Sequence, residues 1–169
     1  MSLKRWSNSD NGQSGLGILE VIAILAILGV LSLVAVLSIQ VIQEKARDVK
    51  RVSDMNTLST SYNKIIFEYD DYTKSGCTLG HMHACSGNLE MMKILPVIGE
   101  IKDPVYHNDI ELCSYDLCRQ DVSVCDYALV EQDDGYYEVL FNLEHGIEDF
   151  EEKGCYKLTP IGIQKIELN

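Results

Sequence analysis

Cys77, His81, His83 and Cys85 fall within nine residues and combine the two side-chain types that zinc accepts most readily. No Cys-x-x-Cys pair accompanies them. The six cysteines, Cys77, Cys85, Cys113, Cys118, Cys125 and Cys155, all lie in the C-terminal part of the chain. An even number of cysteines confined there points to disulfides in an oxidising compartment. Asp133 and Asp134 could contribute to a calcium loop, but carboxylates at regular ligand spacing do not follow them. The expectation is therefore no metal and no cofactor. No glycine-rich phosphate loop, nucleophile elbow or Ser/His/Asp arrangement is readable, so no enzymatic activity is expected. Glu20 is the more informative residue, a carboxylate at the mouth of an apolar stretch. A charge there is costly unless paired, and marks a functional position. The simpler reading is an interfacial anion favoured by a helix N-terminus.

The elements that must position these residues divide sharply by composition. Val21 to Ile39 carries no charge, no Pro and no Asn or Gln. As a helix it spans roughly 28 Å, close to a bilayer core. No second stretch resembles it, and the polar remainder is long enough for one modest core. The formal net charge is −12. Basic residues concentrate at Lys45, Arg47, Lys50 and Arg51, whereas Asp and Glu dominate beyond Asp70. No basic groove for nucleic acid is offered, and the acidity reads as a solvated surface. Ahead of the span stand Lys4, Arg5 and the small residues Ser14-Gly15. A secretory signal places its apolar stretch before the cleavage site, but here the order is reversed. Cleavage at Gly15 would leave the apolar helix on the mature chain.

Gly15, four apolar or small residues, Glu20 and then the apolar run resemble the class III signal of type IV pilins and type II secretion pseudopilins. The resemblance implies a prepilin leader over 1–15, cut after Gly15 and methylated at Leu16. Glu20 becomes the fifth mature residue and serves assembly. Gly29 falls where the family often has a glycine within the helix. Leu16 stands where the family usually has Phe or Met, and Gly17 where it has Thr or Ser. The helix proline of many pilins is missing, the first Pro being Pro96. The implied partners are other pilin subunits, a prepilin peptidase, a membrane assembly platform and the bilayer before assembly. The implied location is the cytoplasmic membrane, single-pass with the head outside, and then a cell-surface filament. Residues 16–39 would be the membrane and filament-core helix, 40–169 the head, and 77–108 part of its outer face. The pairing of Glu20 with the amine of Leu16 on a neighbouring subunit would set register, because wrong stagger leaves two uncompensated charges.

Ala23, Ala26, Gly29, Ser32, Ala35 and Ser38 recur every three residues and would let helices approach closely. The stripe slips back ~60° at each step, so it faces neighbours on several sides. Positive-inside counting runs the other way, with Lys4 and Arg5 before the span and four basic residues shortly after it. The cysteines and the leader favour a head outside.

From Gln40 an amphipathic pattern continues through Ile42, Ala46, Val49, Val52, Met55 or Asn56, Leu58, Tyr62, Ile65 or Ile66, and Tyr69. Lys50 and Asp54 are spaced to pair. One helix to about residue 70 is expected, with no sustained heptad register for a coiled coil. Leu89 to Val97 reads as a short helix stopped near Pro96. Val124–Val130, Tyr136–Leu143, Gly154–Leu158 and Gly162–Leu168 read as strands, with Asp133-Asp134-Gly135 as a turn. The expected fold is α+β, one long helix packed on a small, mostly antiparallel sheet. Fifteen disulfide pairings are possible. The pairing taken is Cys77–Cys85 and Cys113–Cys118 as local loops, leaving Cys125–Cys155. The function expected is a filament subunit. A secretion pseudopilin, or an anchored binding ectodomain that never polymerises, is the alternative.

Overall fold

The computed structural model describes residues 17–120, 124–147 and 149–167, the side chains of Ala35 and Leu37 excepted. Gly15 and Leu16, the expected processing site, lie outside the described residues, as does the leader. The chain divides into two units, one ending at Gln40 and the other beginning at Val41.

Helix α1 runs from Ile18 to Tyr69. No proline occurs before Pro96, and Gly29 is its single glycine. It ends at Asp70, whose N–H bonds Ile66 O at 2.9 Å and whose φ of 55° is left-handed. Asp and Asn tolerate that region better than other side chains. In the first unit the described helical side chains are exposed, from Ile18 at 79% to Leu33 at 64%. This segment is long and apolar enough to cross a membrane.

In the second unit Met55, Leu58, Tyr62 and Ile65 form the buried stripe of α1, each fully enclosed. They pack in one core with Tyr127, Leu129, Val139, Phe141 and Leu158 of the sheet region. Tyr62 stacks on Tyr137 at 4.1 Å between ring centroids. The expected pattern fails nearer the start of this unit. Val49 is 55% and Ile42 64% exposed, while Asp48 and Arg51 are buried. The core-facing positions there are charged, so apolar periodicity points to the wrong side of the helix.

Among the described residues the sheet has five strands in chain order: β1 Gly80–His81, β2 Ala128–Gln132, β3 Tyr137–Leu143, β4 Gly154–Thr159 and β5 Gly162–Lys165. Every neighbouring pair is antiparallel. Asp133 and Asp134 lie in the β2–β3 turn, where Asp133 Oδ1 accepts the Gly135 N–H at 2.9 Å. The central strand, β3, is buried along its whole length because both faces are covered. One face meets α1. On the other, Leu140 packs with Ala128, Cys113 and Cys125, backed by Leu112 and Leu117. Helix α2, Leu89–Ile94, is shorter than expected, and α3, Tyr115–Arg119, is an unexpected third helix. The first expected strand also moves toward the C-terminus. Cys125 to Tyr127 leave the sheet pattern because Asp126 pairs with Leu112 in an isolated parallel bridge.

Three disulfides close the second unit: Cys77–Cys85, Cys113–Cys125 and Cys118–Cys155. The first is as expected, and the other two exchange partners. The Cys113 N–H bonds Asp126 O, and the Asp126 N–H bonds Glu111 O, both at 2.9 Å. This ladder lays Cys113 beside Cys125, with Cα atoms 4.9 Å apart. Cys118, on α3, then reaches β4 at Cys155. The local Cys113–Cys118 loop loses because α3 begins between the two residues, capped by Ser114 on the Leu117 N–H.

Candidate functional site

In the first unit, Gly17 precedes the helix and its carbonyl accepts the N–H groups of Glu20 (2.9 Å) and Val21 (3.2 Å). Glu20 therefore sits in the first turn of α1, where the helix dipole favours an anion. It is exposed and has no ion-pair partner among the described residues. Ala23, Ala26, Gly29, Ser32 and Ser38 are likewise exposed along the helix, and Ala35 lies on it with its side chain undescribed. Ser32 Oγ donates to Leu28 O at 2.7 Å and Ser38 Oγ to Val34 O at 2.9 Å. Each hydroxyl is satisfied within its own helix, so neither needs water and both suit an apolar medium. A Cβ at Gly29 would meet nothing within 4 Å. Packing inside the chain gives no reason for a glycine there.

The second unit holds a polar cluster not anticipated from the sequence. Arg51 has a fully buried side chain. It donates to both oxygens of Asp103 (2.6 and 3.0 Å) and to Asp48 Oδ1 (2.7 Å), and pairs with Glu144 at 2.6 Å. Arg47 also grips Glu144, through Nε at 2.8 Å and through Nη2. Asp48 turns its remaining capacity to the segment after β3. It accepts N–H groups of Glu144 (2.9 Å), His145 (2.8 Å) and Gly146 (2.9 Å). Gly146 has φ of 88°, and a Cβ there would lie 2.5 Å from Glu151 O, so only glycine fits. Burial opposes the charge on Arg51, yet the bonds to Asp103, Asp48 and Glu144 more than offset it and raise its pKa. Burial also works against Glu144 ionisation. Arg47 and Arg51 win there and hold the carboxyl below its ordinary range. Lys50 pairs with Asp54 as its spacing predicts. Asp54 is also bonded by Tyr127 Oη at 3.2 Å, and burial raises its pKa.

This cluster ties α1 to the 103 loop and to the end of β3. It brings no nucleophile beside a base. Three of the four basic residues between 45 and 51 are thus held by acids of the second unit. The signal available in the sequence was the Arg-Asp-x-x-Arg pattern of Arg47, Asp48 and Arg51 on one helix face. Its partners Asp103 and Glu144 lie too far along the chain to be found by spacing.

Of the imagined zinc ligands, Cys77 and Cys85 are consumed in a disulfide. His81 and His83 instead converge on Asp126, which is fully buried. No family model, no curated protein and no solved structure matches the chain.

Proposed function

We propose that the chain is a type IV pilin-like filament subunit. It is made as a prepilin, cleaved after Gly15 and polymerised through α1. The observation that carries the reading is one helix with two environments. Its first part is apolar and exposed, with Glu20 in the first turn, and its second part packs on an antiparallel sheet. An apolar surface of this extent requires lipid or neighbouring helices. Lipid alone would accept any large apolar residue at position 29. Helix neighbours in close approach give the glycine a purpose that packing within the chain does not.

Before assembly the first helix anchors the chain in the bilayer. In the filament it lies among copies of itself or related subunits, with Glu20 beside the amine of Leu16 on a neighbour. Three of the four basic residues after the span have structural uses in the head, which weakens the charge argument for a cytoplasmic head. A secretion pseudopilin shares the same assembly chemistry.

The test is the intact mass and N-terminal peptide of protein isolated from cells with an active prepilin peptidase. A chain beginning at methylated Leu16 is expected. A chain still beginning near Met1 would sink the filament reading and leave an anchored ectodomain.

A further inference from the structure

His81 ends β1, at the edge of the sheet, and pairs with Ala128 of β2. His83 lies two residues on, in the 3-10 turn Met82–Gly87. The Cys77–Cys85 disulfide closes the segment that carries both. Asp126 arrives from the chain just ahead of β2. Its Oδ2 lies 2.7 Å from His81 Nδ1 and 3.1 Å from His83 Nδ1. Three potential ligand atoms, one per residue, lie within 4.8 Å of one another. The other oxygen, Oδ1, accepts the Asp103 N–H at 3.0 Å, which fixes the carboxylate plane. The Tyr106 ring packs edge-on to both imidazoles, with centroids at 6.4 and 5.0 Å.

Hydrogen bonding alone does not complete this arrangement. Two imidazoles compete for one carboxylate oxygen, and His83 Nδ1 is buried without a hydrogen bond despite its proximity. A buried ring nitrogen left in that state carries a desolvation cost. A cation at the point of convergence removes it, since both Nδ1 lone pairs and Oδ2 then have a common partner. Around a tetrahedral zinc with bonds near 2.1 Å, neighbouring ligand atoms sit roughly 3.4 Å apart. The observed nitrogen–oxygen separations of 2.7 and 3.1 Å are shorter than that edge, and the three atoms spread over up to 4.8 Å, so the ion would draw the two imidazoles into place with small side-chain rotations. Two imidazoles and one carboxylate suit zinc, whereas calcium and magnesium demand more oxygens. The bond from Asp103 N–H to Oδ1 is the kind of outer support that orients a ligating carboxylate.

We propose that His81, His83 and Asp126 form a zinc site that clamps the edge strand β1 to the approach of β2. The side chains of His81 and His83 are 36% and 23% exposed, so the ion enters from solvent. Three protein ligands leave a coordination position for water or an external ligand. The site does not rest on the filament reading.

The experiment uses untagged, oxidised full-length protein in detergent micelles, stripped with chelator. Zn²⁺ alone is titrated in competition with a chromophoric chelator, and Co²⁺ is titrated separately for the visible bands of a tetrahedral site. One equivalent is expected to bind and to raise Tm. His81→Ala and His83→Ala should each weaken Zn²⁺ binding by at least about 100-fold, beyond what outer-sphere changes cost. Both should keep the wild-type circular dichroism. His145→Ala, at the ion pair with Glu44, should leave binding unchanged. Asp126→Asn is a poorer probe, because Asp126 also holds the Asp103 backbone. No binding by the wild type at millimolar Zn²⁺, or binding retained by both the His81 and His83 variants, overturns the site.

Discussion

Arg51 shows how strongly one residue can organise the second unit. Its guanidinium is enclosed among Asp48, Asp103 and Glu144, while Asp48 in turn holds three backbone N–H groups after β3. Burying such ions costs several kcal/mol each, so the cluster specifies arrangement more than it adds net stability. Removing one partner is a different matter. Arg51→Ala should lower unfolding free energy by about 3–5 kcal/mol, because it strands buried carboxylates. Urea denaturation of the oxidised protein in detergent, followed by near-UV circular dichroism, reads this. A loss below about 1 kcal/mol would show that the carboxylates find water or protons instead.

The same cluster sets a dependence on acid. Glu144 has its pKa lowered in the fold by Arg47 and Arg51, against the pull of burial. Its contribution is therefore fully present above the ordinary carboxylate range, about pH 4.3 for Glu, and is lost as pH falls through the folded value. Glu138 is also lowered, by Tyr115, Tyr136 and Lys157 against burial, and adds to the same limb. Asp54 is raised by burial and acts in the opposite sense. Glu144→Gln should reduce stability at neutral pH and flatten the fall between about pH 5 and pH 3. Urea midpoints measured across that range check it, and an unchanged acid slope would remove Glu144 from the account.

At the scale of elements, α1 holds the sheet through Met55, Leu58, Tyr62 and Ile65, and the Cys113–Cys125 and Cys118–Cys155 disulfides hold what covers the sheet's other face. Cys118–Cys155 encloses the longest interval of the three bridges, 37 residues, and joins α3 to β4. In the chain-entropy account longer loops gain more, and losing a native bridge from a small domain costs ~2–5 kcal/mol. The paired change Cys118→Ala with Cys155→Ala should lower stability by that range. It should also raise amide exchange in 114–120 before the α1–sheet core opens, because that core has its own apolar contacts. Mass-detected hydrogen exchange reads the order of opening. Simultaneous loss of protection in both regions would mean that α3 belongs to the main cooperative unit.

For the whole molecule, one helix presents two kinds of surface. Apolar residues face outward in the first unit, and they turn inward against the sheet in the second. If the first unit packs among helices, Glu20 must meet a cation from outside its own chain, since no partner lies among the described residues. On the filament reading proposed above, Glu20→Ala should leave cleavage after Gly15 largely intact and reduce filament yield at least about tenfold, as a register charge pair lost in an apolar core would. Filaments in sheared surface fractions, with prepilin processing followed in the same cells, separate the two effects. Normal filament yield would end the register argument.

The long helix, the turn at Asp133-Asp134-Gly135 and three of the strands were legible in the sequence, because each depends on contacts close along the chain or on a regular apolar period. Residues 21–39 announce an apolar helix by composition alone. What composition could not decide was which charges would be buried. Position 49 carries the apolar residue, yet positions 48 and 51 face inward, because Asp103 and Glu144 pair with Arg51 and the N–H groups of 144–146 take up Asp48, all from distant parts of the chain. The same reason hid two disulfide partners, which depend on the bridge between Leu112 and Asp126. It also hid Asp126 as the third member of the histidine cluster. Local periodicity fixes which elements form. Pairing between residues tens of positions apart is decided only when the sheet and its covering segments bring them within a few ångströms.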